Sequence, residues 1–233
     1  MTRSHRTGCR VVRRVRRPYS RSMSTPPDRW ASVRAGFAAA ATWFVTTAGD
    51  AAGQPDRPAL GVWTVRDLVG HTGRALLTVE NYLQDSTAGA VDMASPAAYY
   101  RRAQAALADP VAVAERGRAA GAALGEDLAG SVAAIASRVL ARVAAAGPDD
   151  AVDSPVGRLR LVDYLPTRTF ELTVHTCDLA VAIGVAPAVP DAAAAASLAL
   201  AADLAVDRQV SGPLLLALTG RTALPEGFSL LEG

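Results

Sequence analysis

The apolar residues of this chain recur every three or four positions in long segments, a spacing that predicts α-helices rather than strands. Aromatic residues make up only 5% of the sequence, so the core must be built from Ala, Val and Leu, a composition that favours helix. A length of 233 residues suits one domain, or one domain with a small appendage. Two cysteines are too few to hold such a chain as a disulfide scaffold. These features exclude a disordered chain and a collagen-like chain as well.

The predicted helices are separated by loops rich in Gly, Pro and Asp. The longest segment, residues 110–146, contains four glycines, so a break within it is expected. Turn residues at 153–157, followed by alternating leucines, indicate a small hairpin. The economical architecture is an antiparallel four-helix bundle with a short C-terminal addition. We predict helices over residues 28–48, 64–84, 96–107, 110–146, 162–183 and 191–208.

The first 22 residues carry eight arginines and no acidic residue, whereas the rest of the chain has an excess of acidic residues. A segment of this composition has nothing with which to pack a core. It is typical of a nucleic-acid-binding arm, of a targeting peptide, or of a stretch upstream of the true start, and we favour a start at Met23. We therefore predict a disordered tail over residues 1–24, a helical bundle over 25–185, and a C-terminal helix and addition over 186–233.

No segment predicts a membrane-spanning helix. The longest apolar stretch that we identify, residues 36–48, falls short of the ~20 residues that a span requires. We expect a cytoplasmic protein without a membrane partner. We also expect no nucleic-acid partner, because only the arginine-rich tail points to one.

Two histidines lie in the helical body, His71 in the second predicted helix and His175 in the fourth long one. Glu171 precedes His175 by four residues, which places the carboxylate and the imidazole on one helix face about one turn apart. Two His and one Glu from facing helices are the ligands of a catalytic zinc with one open coordination position. Two simpler interpretations stay open: the histidines are hydrogen-bonded core residues, or Glu171 forms a surface ion pair with Arg168.

Two segments give the chain a family resemblance. The sequence WTVRDLVGH, which ends at His71, resembles the W-(S/T)-V-R-D-L-V-x-H segment of the mycothiol-dependent maleylpyruvate isomerase family, a branch of the DinB-like metalloprotein bundles. Residues 168–184, with the pattern E-x-x-x-H-x-x-D-L-A, are similar to the family's second signature. Gly220 and Arg221 resemble a C-terminal Gly-Arg of such chains, and the similarity covers roughly residue 28 to the end.

The resemblance implies an all-α, DinB-like four-helix bundle and a divalent metal, usually zinc, held by His71, Glu171 and His175. It also implies a low-molecular-weight thiol, mycothiol, as co-substrate. A thiol in the open zinc position loses its proton near neutral pH and becomes a nucleophile. In the isomerase of this family, the bundle is followed by a sizeable α/β domain. The stretch after His175 in this chain is too short for such a domain, so the resemblance does not imply the substrate of the isomerase.

We therefore expect a zinc-dependent enzyme that uses such a thiol for transfer or cis–trans isomerisation on a small electrophilic substrate. One alternative is a metal-dependent hydrolase that uses zinc-bound water. A second alternative is a non-catalytic bundle that binds a ligand. Bundles of this type often pair, which makes a homodimer the expected assembly.

Three further residues are predicted to act beside the ligands. Asp178 lies three residues after His175 and can orient its imidazole, although a role as a surface acid explains it equally well. Arg168 and Arg221 can bind an anionic substrate or a cofactor carboxylate.

Three other residues close to the motifs are not expected to take part. Asp67 lies one turn before His71, and a capping box with Thr64 already accounts for it. Cys177 lies two residues from His175, on another face of the helix, and is expected to be a small core residue. Cys9 belongs to the arginine-rich tail.

Overall fold

The computed structural model describes residues 28–84, 90–107 and 109–231. Within these ranges the chain forms eight α-helices and one small antiparallel sheet, which confirms the all-α class. The arginine-rich segment, with its predicted disorder and the start at Met23, lies outside the described residues. The elements in chain order are α1 (Arg29–Ala51), α2 (Val65–Gln84), α3 (Pro96–Leu107), α4 (Pro110–Ala123), α5 (Leu128–Ala145), β1 (Ala151–Ser154), β2 (Gly157–Arg160), α6 (Leu161–Ala182), α7 (Asp191–Asp207) and α8 (Ser211–Leu218).

Helices α1, α2, α5 and α6 form the central bundle, in which α1 and α2 each pack against both α5 and α6. Their apolar stripes meet in one core whose largest members are fully buried. The largest of these side chains are those of Tyr164, Phe37, Phe44, Leu68 and Leu76. Because α2 and α6 are direct neighbours, the two helices that carry the predicted ligands face each other.

The predicted helix over residues 110–146 is divided into α4 and α5, as its glycines suggested. Gly125 has a φ of +69°, a left-handed conformation that glycine adopts without steric cost. Asp127 then caps the N-terminus of α5, because its side chain accepts a hydrogen bond from the backbone N–H of Gly130. The division leaves α5 in the central bundle and turns α4 back against α2.

Helices α2 and α4 cross in backbone contact. A Cβ atom added to Gly70 would lie 2.1 Å from the backbone nitrogen of Gly121, closer than any side chain allows. Next to this crossing, the indole of Trp63 covers Gly117 and donates a hydrogen bond to the carbonyl of Ala114 at 3.0 Å. The glycines therefore set the distance between the two helices and leave room for the indole.

The predicted hairpin is confirmed as β1 and β2, which pair in antiparallel register. Val152 pairs with Leu159, and both side chains are fully buried against the bundle. The hairpin leads directly into α6 and places Pro155, at its tip, beside the cavity described below.

The C-terminal elements lie on the outside of the bundle. Helix α7 packs against α1 and α6, whereas α8 packs only against α7 among the described elements. No residue of α8 is buried, and the leucines at 215, 216 and 218 are exposed.

One helix of the described residues, α5, is long and apolar enough to cross a membrane by length and composition alone. The prediction that residues 36–48 are the longest apolar stretch is wrong, because α5 is apolar on average over 18 residues although it carries Arg138 and Arg142. Its buried residues Val132, Ala136 and Val139 recur on one face against the bundle, as they do in the core helix of a helical protein. Such a helix is weak evidence for a membrane span, and the lack of a membrane partner stays a prediction.

Candidate metal centre

The structure brings His71 of α2 together with Glu171 and His175 of α6. Each residue offers one ligand-type atom, and these three atoms lie within 4.8 Å of one another. Nε2 of His175 is 3.4 Å from Oε2 of Glu171. Ligand atoms about 2.0–2.1 Å from a tetrahedral zinc lie roughly 3.3–3.4 Å apart, so this pair already has the spacing that zinc requires.

His71 is held by ring contacts. The Trp63 ring lies 4.4 Å from the His71 ring, centroid to centroid, and the His175 ring meets it edge-on at 4.8 Å. Nδ1 of His71 is buried and has no hydrogen-bond partner among the described residues. Burial, followed by the positive charge of His175, lowers the pKa of His71 to about 4. His71 is therefore neutral at physiological pH, the form that ligates metal.

Glu171 and His175 form a charged pair before any metal binds. Burial alone would raise the pKa of Glu171, but the hydrogen bond to His175 and the charge of Arg168 lower that pKa to about 2. Burial alone would lower the pKa of His175, but its hydrogen bonds to Asp178 and Glu171 raise that pKa to about 9. A divalent cation bound at this site would have to displace the proton that His175 shares with Glu171.

Asp178 lies where the sequence analysis placed it. Its Oδ2 atom is 3.0 Å from Nδ1 of His175, on the opposite side of the ring from the Glu171 contact. A carboxylate only accepts hydrogen bonds, so Nδ1 carries a hydrogen, and Nε2 would offer a lone pair once it gives up the proton that it shares with Glu171. This contact is the one that the predicted role of Asp178, orientation of the His175 imidazole, requires.

Tyr100 of α3 binds the other end of the Glu171 carboxylate. Its hydroxyl donates to Oε1 at 2.7 Å, and the Thr167 carbonyl lies farther away at 3.3 Å. Burial and the charge of Glu171 raise the pKa of Tyr100 well above its ordinary value, so the hydroxyl keeps its hydrogen.

A cavity of about 360 Å³ opens beside the three ligand-type residues. Helices α2, α3, α4 and α6 and the tip of the hairpin form its walls. Three arginines line it, Arg74, Arg116 and Arg168, and none forms an ion pair with a carboxylate of the described residues. Among the residues that line it, the cavity therefore has more arginines than acidic groups, with Glu171 as the acidic one.

Arg168 is buried, which removes the surface ion pair with Glu171 that the sequence left open. Its guanidinium lies over the rings of Tyr99 and Tyr164, at 5.2 and 5.1 Å from their centroids. Two cation–π contacts hold the charged group while it faces the cavity. This location agrees with the predicted binding of an anionic group.

The remaining predicted residues lie elsewhere. Arg221 follows α8 on the exposed surface, where it donates to the carbonyl of Thr219, and it does not line the cavity. Asp67 and Thr64 form the expected capping box, with contacts of 3.0 and 3.3 Å. Cys177 is half-buried, and burial raises the pKa of its thiol, so it is not a ready nucleophile.

The sequence analysis missed Arg74, Arg116 and Tyr100. Arg74 lies three residues after His71 on α2, a spacing that puts both on one helix face and that could have identified it. Arg116 and Tyr100 reach the site only through the packing of α4 and α3, for which the sequence carries no local signal.

These residues fit a divalent metal. Two imidazoles and one carboxylate suit zinc, and a three-residue set leaves one coordination position for an exogenous ligand. The buried Nδ1 of His71 without a partner and the Asp178 contact to His175 are further features of such a centre.

The chain matches the model of a known protein family. The family described as the mycothiol maleylpyruvate isomerase N-terminal domain matches residues 33–180, which include all three ligand-type residues and most of the bundle. No curated protein and no solved structure matches the chain.

Proposed function

The chain belongs to the family of the mycothiol maleylpyruvate isomerase N-terminal domain, and from this premise we propose a zinc-dependent enzyme that uses a low-molecular-weight thiol of the mycothiol type. The reaction would be transfer of the thiol, or thiol-assisted cis–trans isomerisation, on a small electrophilic substrate. The observation that carries the proposal is the convergence of His71, Glu171 and His175 at one wall of a cavity.

The protein residues have distinct tasks in this proposal. His71, Glu171 and His175 would hold the metal, and Asp178 would keep His175 in the ligating tautomer. A divalent metal held by these residues would lower the pKa of a bound thiol and so supply a thiolate nucleophile. The ring of Trp63 packs on His71, and α3 and α4 form walls of the cavity in which the substrate would bind.

Both proposed reactions begin with attack of the sulfur on carbon. In transfer, a carbon–sulfur bond forms while the leaving group departs with its electron pair. In isomerisation, the sulfur adds to a double bond, the substrate rotates about the resulting single bond, and the same sulfur leaves to restore the double bond. Arg168, with Arg74 and Arg116, would bind an anionic group of the substrate and orient its reactive carbon.

The partners and the location are part of the same proposal. We propose a cytoplasmic protein that acts on small molecules, without a membrane or nucleic-acid partner. A homodimer is also proposed, since the exposed leucines of α8 form the kind of apolar surface that an interface covers.

The test is the metal content of the purified protein beside His175→Ala and a control, Cys177→Ala. We expect about one zinc per chain in the wild type and in the control, and none in His175→Ala, because two remaining ligands bind zinc poorly. A wild type that takes up no metal after incubation with zinc would refute the centre and leave the ligand-binding bundle as the better explanation.

The dependence of turnover on the thiol then distinguishes the thiol-dependent enzyme from the metal-dependent hydrolase. The zinc-loaded protein is incubated with electrophiles, alkyl halides and cis-enoic acids, with and without mycothiol. Turnover that requires the thiol supports transfer or isomerisation. Turnover of the alkyl halides at the same rate without thiol would establish the hydrolase instead.

A further inference from the structure

The two oxygens of Glu171 have different surroundings. Oε1 accepts the hydrogen bond from Tyr100 at 2.7 Å, whereas Oε2 lies 3.4 Å from Nε2 of His175. Oε2 is therefore the oxygen beside Nε2 of His175, and no hydroxyl of the described residues binds it.

The hydroxyl of Tyr100 has one hydrogen and two acceptors in reach. The Thr167 carbonyl at 3.3 Å is neutral and distant, while Oε1 of Glu171 is charged and 2.7 Å away. A hydrogen bond to an ionised acceptor is shorter and stronger than one to a neutral acceptor. The hydrogen therefore points to Glu171.

The ring of Tyr100 is held firmly enough to fix that hydroxyl. Tyr100 is 5% exposed, and its ring makes edge-on contacts with Tyr99 at 5.7 Å and Phe170 at 5.9 Å. These contacts come from α3 itself and from α6, the helix that also carries Glu171. A rotation that would free Oε1 must break this packing.

We propose that Tyr100 is a positioning residue that restricts Glu171 to a single oxygen, Oε2, as its contribution to the metal. A carboxylate can bind a metal through one oxygen or through both. With Oε1 engaged by Tyr100, the three residues supply three donor atoms, and the fourth position stays available to the thiol. The inference rests on the proposed function and assigns a task to a helix, α3, that carries none of the ligands.

The test compares Tyr100→Phe with Tyr99→Phe, which keeps the buried ring that packs on Tyr100 and Arg168 and removes a hydroxyl that forms no hydrogen bond with Glu171 among the described residues. Zinc affinity is measured by competition with a chelator, and the visible spectrum is recorded on the cobalt-loaded proteins. Tyr100→Phe should weaken zinc binding by about 10–100-fold, as the loss of contacts that orient ligands does. Its cobalt absorption should weaken, because the freed Oε1 raises the coordination number. Tyr99→Phe should show neither change.

The outcomes separate this inference from the proposed function. If the wild type binds no metal, the proposed function itself falls. If the wild type binds metal and the cobalt spectrum of Tyr100→Phe is unchanged, the inference is overturned while the metal centre stands. An equal spectral change in Tyr99→Phe would also overturn it, because loosening of the wall would then be the cause. Thermal unfolding of the metal-free proteins shows whether each variant is folded.

Discussion

His71 and His175 lie less than 5 Å apart, centroid to centroid, yet their pKa values move in opposite directions. Nδ1 of His71 has no hydrogen-bond partner among the described residues and the ring stays neutral, whereas His175 lies between two carboxylates and holds its proton. Without a metal, His71 therefore has a free lone pair, and the positive charge of His175 is balanced by its neighbouring carboxylates. The two rings do not repel each other as two cations would. This arrangement keeps the site compact before a metal enters.

Asp178 provides the first prediction, because it acts on a ligand without being one. Asp178→Ala removes the acceptor that holds His175 in the ligating tautomer, so zinc affinity should fall by about 10–100-fold. Asp203→Ala, which removes an exposed carboxylate from α7, is the control and should leave affinity unchanged. Chelator competition measures both, and equal affinities in the two variants would reduce Asp178 to a surface acid.

At the level of the elements, the WTVRDLVGH segment combines several structural tasks in nine residues. Thr64 and Asp67 cap α2, and Trp63 binds α4 and stacks on His71. Gly70 lets α4 approach α2 until their backbones touch. The segment therefore determines where α2 begins, how closely α4 packs on it and what surrounds the His71 side chain.

The crossing of α2 and α4 gives the second prediction of this Discussion. Gly70→Ala would place a methyl group into the backbone of α4, and overpacking of this kind costs about 1–3 kcal/mol. Gly73→Ala, one turn along the same helix, meets no atom within 4 Å and should stabilise the protein by about 0.5–1 kcal/mol through helix propensity. Denaturant unfolding measures both, and equal stability of the two variants would show that the helices can separate freely.

Helical periodicity predicted the bundle, and the four-residue spacing of Glu171 and His175 predicted their shared face, because both signals are local. The break between α4 and α5 was expected from glycines, but its position depends on the combination of Gly125 with the cap at Asp127. Tyr100 could not be predicted, since its contact with Glu171 arises only when α3 packs on α6. Local patterns specify helices, and tertiary packing selects which of their polar groups meet.

On the scale of the whole molecule, ion pairs at the start of α6 connect parts of the chain that are far apart in sequence. Asp163 is fully buried and binds Arg29 at the start of α1 at 2.7 Å, and Arg160 at the end of β2 at 2.8 Å. One carboxylate thus connects the first helix, the hairpin and the helix that carries two of the ligand-type residues. The same carboxylate lies in the first turn of α6, where the helix dipole also favours negative charge.

Asp163→Asn therefore tests a contribution to stability that is separate from the metal centre. The asparagine side chain has no charge, and its NH2 group replaces an acceptor oxygen beside one of the two arginines. The free energy of unfolding should therefore fall by about 1.5–3 kcal/mol. Removing one partner of a fully buried ion pair costs about 3–5 kcal/mol, but Arg29 and Arg160 are 56% and 38% exposed and can be hydrated again.

Asp149→Asn is the matched control, because Asp149 also contacts Arg160, at 3.3 Å, but is 77% exposed. Its loss should change stability by less than about 0.5 kcal/mol, as expected for a surface ion pair. Zinc affinity should be the same in both variants and in the wild type, since neither residue contacts the ligands. A fall in zinc affinity as well as in stability in Asp163→Asn would contradict this prediction. It would show that the contacts of Asp163 with Arg29 and Arg160 affect Glu171 and His175 through the helix.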